Sequence, residues 1–337
     1  MINVAINGFG RIGRMAFREM ITSDCFNIVA INSLGDIEEM CHLLKYDTTY
    51  GNFHTEDITF DNEALIIKGK KRIVVMQEKD PINLPWKELN IDLVLECSGC
   101  FTKNDDLKKH ITAGAKKVVL SAPAKDDVKT IVYGVNDNLI NDADKIISAA
   151  SCTTNCLAPV LNLLENNYGI QMCYMTTIHA YTSDQIIIDG VHKKGIYSRR
   201  GRNAANNIVP TATGAAKAIG LVIPTLKGKV DGNSVRVPVA SGSLVDVTVE
   251  LNNLVSKEDI NNLFINNQND TLRITFDPIV SGDIIKDKHG SIVDGNLTEV
   301  LTNGNKQFLK VCAWYDNEVG YTNQMLRVAK KLFNTLK

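Results

Sequence analysis

The run Gly8-Phe9-Gly10-Arg11-Ile12-Gly13 limits what this chain can fold into more than any other feature. It fits G-x-G-x-x-G. A short apolar strand candidate at 3–6 precedes it, a helical pattern at 11–21 follows, and a second strand candidate lies at 27–31. Strand, glycine turn, helix and strand within about 30 residues is the setting that gives such a motif meaning. The first glycine permits a tight turn, the second lets the backbone approach a pyrophosphate, and the third lets helix pack on strand. The free N–H groups of the helix N-terminus then face the phosphates. Gly8, Phe9, Gly10, Arg11, Ile12 and Gly13 are therefore expected to line a dinucleotide site.

In such a unit an acidic side chain usually stands about 20 residues after the last glycine, on the ribose hydroxyls. Here that position is Ser33, which is neutral. It would not repel the extra phosphate of NADP, yet no Lys or Arg lies in 33–39 to attract it. Asp36 is a substitute acid, and Ser33 reads equally well as a loop or cap residue. Further strands are expected at 65–67, 72–77, 92–97, 117–121, 130–134 and 145–148, with helical segments around 38–44, 105–113 and 138–140. The runs Leu93-Val94-Leu95 and Val118-Val119-Leu120 suit strands buried on both faces. Cys97-Ser98-Gly99-Cys100 has C-x-x-C spacing without a second pair or a histidine pair to complete a metal site, so it reads as a strand-end loop. Ser98 and Gly99 are then expected to line the cofactor site.

Composition enters as an exclusion. The 337 residues suffice for two domains, and 44% hydrophobic with 22% charged residues is globular. A net charge of −1 speaks against nucleic acid or an anionic membrane as the primary partner. No apolar run approaches the roughly 20 residues of a membrane span, and no secretory leader is read at the start. The eight cysteines are thus expected to be free thiols in a cytoplasmic protein.

The chemistry is expected at the centre. A strand ends near Ser148, and Leu157, Val160, Leu161 and Leu164 then recur at helical spacing. Ser151 is placed as N-cap, which puts Cys152 in the first turn. There the helix dipole and free N–H groups favour a thiolate and help hold an oxyanion. The competing reading is a buried, inert cysteine. Cys156, one turn on, either pairs with Cys152 on oxidation or packs. Among six histidines, His179 leaves a strand-like run at 175–178 and is the candidate base, or else a structural residue. The segment 183–207 carries Lys193, Lys194, Arg199, Arg200 and Arg202, as a solvated loop or as an anion-binding one. Thr213 and Gly214 open a helix at 215–219, and Arg236 is a lone cation on a strand. Residues 243–251 alternate as a half-buried antiparallel strand would. A helix is expected over 321–336.

The motifs Asn7-Gly8-Phe9-Gly10-Arg11-Ile12-Gly13-Arg14, Ser151-Cys152-Thr153-Thr154-Asn155-Cys156, His179-Ala180-Tyr181-Thr182, Thr213-Gly214-Ala215-Ala216-Lys217 and Trp314-Tyr315-Asp316-Asn317-Glu318 together resemble the phosphorylating glyceraldehyde-3-phosphate dehydrogenases along the whole chain. The resemblance implies an α/β fold: a Rossmann-type domain over 1–150, completed by a C-terminal helix at 318–337, and an α+β catalytic domain with a largely antiparallel sheet over 151–317. It implies Cys152 as nucleophile and His179 as base and later acid. Thr182 and Arg236 fall at the positions for the substrate's phosphate. Ser151, Thr153, Arg200, Thr213 and Gly214 fall at those for inorganic phosphate, the co-substrate. Asn317 matches the residue that orients the nicotinamide carboxamide, and Ser121 and Tyr321 are also carried over to the NAD site. A cytoplasmic homotetramer is implied, with 183–208 packing against a neighbouring subunit's cofactor.

The departures are Ser33 for the usual Asp, Val191 near a common Pro, and a slightly longer segment at 194–198. The first two bear on the adenosine end and leave NADP open. The implied reaction turns D-glyceraldehyde 3-phosphate reversibly into 1,3-bisphosphoglycerate through a Cys152 thioester. The alternatives are a related phosphorylated aldehyde such as D-erythrose 4-phosphate, an NADP-preferring biosynthetic form, or a binding protein that keeps the fold without the activity.

Overall fold

The computed structural model describes residues 1–69 and 71–334. The chain divides into two compact units. One comprises residues 1–131, 137–150 and those from 325 on; the other comprises 132–136 and 151–324.

The first unit holds strands β1 (Ile2–Asn7), β2 (Phe26–Asn32), β3 (Ile58–Phe60), β4 (Ala64–Ile67), β5 (Lys71–Met76), β6 (Leu93–Glu96), β7 (Lys117–Leu120), β8 (Lys129–Thr130) and β9 (Ile146–Ser148). They form one sheet in the order β3-β4-β5-β2-β1-β6-β7-β9-β8. Its pairs are parallel except for β3–β4 and β4–β5. Every residue of β6 and β7 is buried, which explains the apolar runs 93–95 and 118–120 within them. Helices α1 (Arg11–Met20), α2 (Ile37–Lys45) and α3 (Asn104–Thr112) complete the unit. From β1 the order runs to β2 on one side and to β6 on the other. This is the topological switch point, where open α/β sheets place their ligands.

Three local expectations change. The strand expected at 130–134 ends at Thr130, because the Asn136 side chain caps the Val132 N–H at 2.8 Å in a turn. The helix expected at 138–140 is a single 3₁₀ turn, Asp137–Leu139. The three-residue β3 went unread, being too short for alternation to show.

The second unit holds an eight-stranded sheet of β10 (Ile170–Ala180), β11 (Val209–Thr211), β12 (Val230–Val237), β13 (Ser243–Leu251), β14 (Leu272–Thr275), β15 (Ser291–Asp294), β16 (Glu299–Asn303) and β17 (Lys306–Tyr315). Its order is β11-β12-β10-β13-β17-β15-β14, with β16 on β17. Most pairs are antiparallel; β10–β12 and β14–β15 are parallel. Helix α4 (Cys152–Tyr168) packs across β10, β13, β15 and β17. Helix α5 (Ala215–Val222) lies on α4 and β12, and α6 (Lys257–Asn266) on β14. A capping box of Ser256 and Asp259 starts α6. Helix α7 (Val319–Asn334) begins two residues before the expected 321; positions 335 and 336 of that expectation lie outside the described residues. No helix among the described residues is long and apolar enough to cross a membrane.

Candidate active site

Helix α4 starts as its sequence requires. Ala150 at φ +57° turns the chain, and the Ser151 hydroxyl accepts the Thr154 N–H at 3.1 Å as N-cap. Cys152 is thereby the first helical residue. Its Sγ lies 3.3 Å from His179 Nε2. His179 is 3% exposed, with its ring edge-on to Tyr315. The parallel β10–β12 register sets His179 opposite Arg236. Arg236 Nη1 reaches His179 Nδ1 at 3.1 Å, Ala180 O at 2.9 Å and Thr182 Oγ1 at 3.3 Å. Arg236 Nε is buried without a hydrogen-bond partner. A buried donor left unmet costs about 1–3 kcal/mol, so this nitrogen is free to meet a ligand acceptor.

The electrostatics of the pair oppose one another. Burial pushes the Cys152 thiol above its ordinary value; Arg236 and hydrogen bonds from Thr153 pull the other way. Burial, seconded by the Arg236 charge, pushes His179 down to about 3, against its contact with Ala180 O. Desolvation thus works against the thiolate that the helix dipole favours. His179 Nδ1 is also contested: Ala180 O, at 2.7 Å, calls for a proton there, and the Arg236 guanidinium calls for a lone pair.

Other site residues fall as follows. Thr153 is buried; its hydroxyl meets Tyr315 OH at 3.0 Å and its hydrogen bonds support the Cys152 sulfur. Thr177 Oγ1 completes that set, 2.7 Å from Tyr315 OH. Thr213 accepts the Ala215 N–H, and Gly214 is the N-cap of α5. Arg200 is nearly buried. Its Nη1 pairs with Asp184, its Nε donates to Thr211 Oγ1 at 3.2 Å, and its charge lowers His179 further. Asp184 also pairs with Lys194 at 3.0 Å, and these cations hold its carboxyl down to about 2 despite burial. Arg202 pairs with Asp189. The segment's two carboxylates, Asp184 and Asp189, offset part of its five cations and leave it net positive, and neither reading of it anticipated Asp184 as the shared partner. The clue was present, since Asp184 follows Thr182 by two residues. Asn317 is 5% exposed and its Oδ1 takes Gly242 N and Ser243 Oγ, so the amide nitrogen is the end left to meet a ligand. Tyr321 is buried in α7. Cys156 is fully buried against Ser291 and Ala313 O, and burial raises its thiol: of the two readings, it packs.

In the first unit the three glycines differ as the motif requires. A Cβ at Gly8 (φ +95°) would lie 2.4 Å from Ser98 N, and one at Gly13 would lie 2.1 Å from Gly8 O; at Gly10 nothing stands within 4 Å. Gly10 therefore opens the space a pyrophosphate needs, at a helix N-terminus with no side-chain cap and no acid in its first turn. The residues fit a dinucleotide. Phe9 is buried edge-on against Phe17, and the Arg11 guanidinium is bound to Asp47, so these two offer backbone rather than side chain. Ile12 is half-buried. Ser33 donates its N–H to Met76 O, and the Ser121 N–H goes to Glu96 O. Gly99 takes φ +72° beside Ser98. Asp36 caps α2, its Oδ2 accepting the Glu38 and Glu39 N–H groups. Cys97 and Cys100 are free thiols, the first pushed up to about 12 by burial.

A cysteine and histidine in contact beside anion-seeking arginines, on a chain with a dinucleotide turn, define an oxidoreductase that works through a covalent sulfur adduct. Comparison with known proteins makes the assignment particular. Residues 2–104 match the family described as glyceraldehyde 3-phosphate dehydrogenase, NAD binding domain, and 151–317 match its C-terminal domain. The glyceraldehyde-3-phosphate dehydrogenase of Clostridium pasteurianum is 48% identical over 327 residues, 97% of each chain. That of Clostridium acetobutylicum is 47% identical over the same span, and that of Borreliella burgdorferi 49% over 343 residues, 98% of this chain and 99% of its own. The chain belongs to the glyceraldehyde-3-phosphate dehydrogenase family, NAD-dependent oxidoreductases acting on an aldehyde group.

Proposed function

We propose that this chain oxidises D-glyceraldehyde 3-phosphate to 1,3-bisphosphoglycerate, with Cys152 as nucleophile and His179 as base. The observation that carries the reading is the 3.3 Å contact of Cys152 Sγ with His179 Nε2. Attack of the sulfur on the aldehyde gives a hemithioacetal. Bound NAD supplies the acceptor for the hydride lost when this is oxidised. His179 Nε2 takes the hydroxyl proton, and a thioester remains on Sγ. Inorganic phosphate attacks it, the sulfur leaves, and the acyl phosphate is released. Dividing the reaction at a covalent adduct makes two easier steps of one hard one.

Arg236 and Thr182 hold the substrate's phosphate; the buried, unmet Nε supports this. Ser151, Thr213, Gly214 and Arg200 receive the attacking phosphate. An anion at Arg236 offsets that arginine's charge, the second cause after burial that holds His179 down. Substrate binding thereby makes His179 a better proton acceptor. Residues 1–150 with the C-terminal helix bind the cofactor, Ser121, Asn317 and Tyr321 contributing, and 151–317 perform the chemistry. NAD is the coenzyme rather than NADP: Asp36, Glu38 and Glu39 lie beside Ser33 with no cation in 33–39, so a 2′-phosphate would meet only like charge. The chain works in the cytoplasm as a homotetramer. In support, Ile187, Val191, Ile196, Tyr197 and Ile208 are mostly exposed, and the loop frames a cavity of about 670 Å³.

The test is kcat/KM with each coenzyme, with and without inorganic phosphate. Turnover should need phosphate and favour NAD at least a hundredfold. Phosphate-independent turnover, or faster oxidation of D-erythrose 4-phosphate, would reject the reading.

A further inference from the structure

Three polar residues end three neighbouring strands of the first sheet at one level. Asn7 ends β1, Asn32 ends β2 and Glu96 ends β6, and the registers pair Asn7 with both others. All three are at most 5% exposed, and Glu96 is fully buried, as are His110 on α3 and Trp86. Their hydrogen bonds have a forced direction. The Glu78 N–H donates to Asn32 Oδ1 at 2.8 Å, and Asn32 Nδ2 donates to Glu78 O at 2.9 Å, which fixes that amide. Asn32 Nδ2 also donates to Asn7 Oδ1 at 2.7 Å, so Asn7 must present its NH₂ to Glu96 Oε2.

The other side is equally determined. The Trp86 indole N–H can only donate, and it meets His110 Nδ1 at 3.0 Å. His110 therefore carries its proton on Nε2, which donates to Glu96 Oε2 at 3.1 Å, and the ring is neutral. The Ser98 N–H and hydroxyl donate to Oε1. Glu96 thus meets donors at every contact, and no Lys or Arg is among its partners within the described residues. The carboxyl is fully buried and held by neutral hydrogen-bonding partners.

A carboxyl group at that depth is costly to bury unless its oxygens are met by hydrogen-bond partners. Its position shows what the arrangement serves. Ser98, the residue it grips by two bonds, is the wall against which Gly8 turns, and Gly8 N–H donates to Asn32 O at 2.7 Å. The cluster clamps both sides of the glycine turn from beneath, at the switch point, and so sets where the α1 N-terminus points.

We infer that Glu96 is a positioning residue for the cofactor: through Ser98 and Asn7 it holds the Gly8 turn in its binding geometry, with His110 and Trp86 keeping its donors in place. The inference rests on the reading of this turn as the NAD site and adds a residue that touches no cofactor atom.

The experiment is NAD titration by calorimetry of wild type, Glu96→Gln, His110→Gln and His110→Leu. Thermal midpoints and the cofactor-free rate of Cys152 carboxymethylation by iodoacetate are followed alongside. Glu96→Gln puts an amide donor against existing donors and should raise the NAD Kd tenfold or more. His110→Gln keeps both an acceptor for Trp86 and a donor for Glu96, and should stay within threefold of wild type. His110→Leu should match Glu96→Gln. Carboxymethylation should be unchanged throughout, because Cys152 lies outside the clamp. An unchanged Kd in a folded Glu96 variant, or equal losses for Gln and Leu at 110, overturns the inference. If Glu96→Gln does not fold, the two His110 variants decide it alone. Wild type that fails to bind NAD would instead refute the cofactor reading.

Discussion

The Glu96 cluster and the Cys152 cluster are built from similar parts and finished differently. Each buries a histidine beside a group of another charge class at a strand end. Around Glu96 every donor finds an acceptor, and each amide and ring has one permitted orientation. Around Cys152 the accounts stay open: Arg236 Nε is unmet, and His179 Nδ1 faces two partners that demand opposite protonation. A closed network fixes geometry and then does nothing more. An open one is relieved by ligand, and its proton has somewhere to go. On the proposed reading the cofactor turn rests on the first kind and the chemistry on the second, in keeping with the clustering of perturbed groups at reacting sites.

The comparison is sharpest where removal should cost most. His179→Asn deprives the sulfur of its base and should lower kcat by roughly 10²–10⁴ with NAD affinity intact. A loss below tenfold in steady-state kinetics would make His179 structural, like His110. Arg236→Leu should lower kcat/KM for the phosphorylated aldehyde by about 10–100-fold, the worth of a hydrogen-bonded charge of about 1.5–3 kcal/mol. Unphosphorylated glyceraldehyde should be nearly indifferent, and equal losses for both substrates would remove the anion role.

Acid provides a third contrast. His179 is held at about 3 in the folded protein against an ordinary 6.5, so between these values the unfolded chain binds the extra proton. Stability from keeping this ring neutral is full above about pH 6.5 and is lost as pH falls towards 3, by up to about 1.4 kcal/mol per unit. Urea midpoints of His179→Asn should therefore fall less steeply from pH 7 to pH 5 than those of wild type; parallel curves would contradict the assignment. The smallest effect belongs to Ser151→Ala. It removes the α4 N-cap and should cost about 1 kcal/mol in denaturant unfolding. No measurable cost would mean that the cap bond to Thr154 contributes nothing.

Local chemistry was the part the sequence made legible. The glycine turn, Ser151 as cap, Cys152 in the first turn and the alternation of β13 each depend on neighbours a few residues away. What stayed hidden depends on pairing across distance. His179 and Arg236 are 57 positions apart and meet only through the β10–β12 register. Asn7 and Glu96 are 89 apart and meet through β1–β6. Spacing offers Asp36 as an acid but does not show that its Oδ2 also caps a helix start. At Cys152 the dipole can be read from a helix pattern, whereas the depth of the sulfur, which works against it, cannot. Motif resemblance filled much of this gap, since it carries the outcome of the pairing without its geometry.

The most direct measurement of the central claim is intact mass spectrometry of the full chain mixed with glyceraldehyde 3-phosphate and NAD in the absence of inorganic phosphate. The account predicts a stoichiometric burst of NADH and one acyl adduct per chain, mapped to Cys152 and discharged when phosphate is added. A burst without an adduct, an adduct on another residue, or an adduct that persists in Cys152→Ser would contradict it.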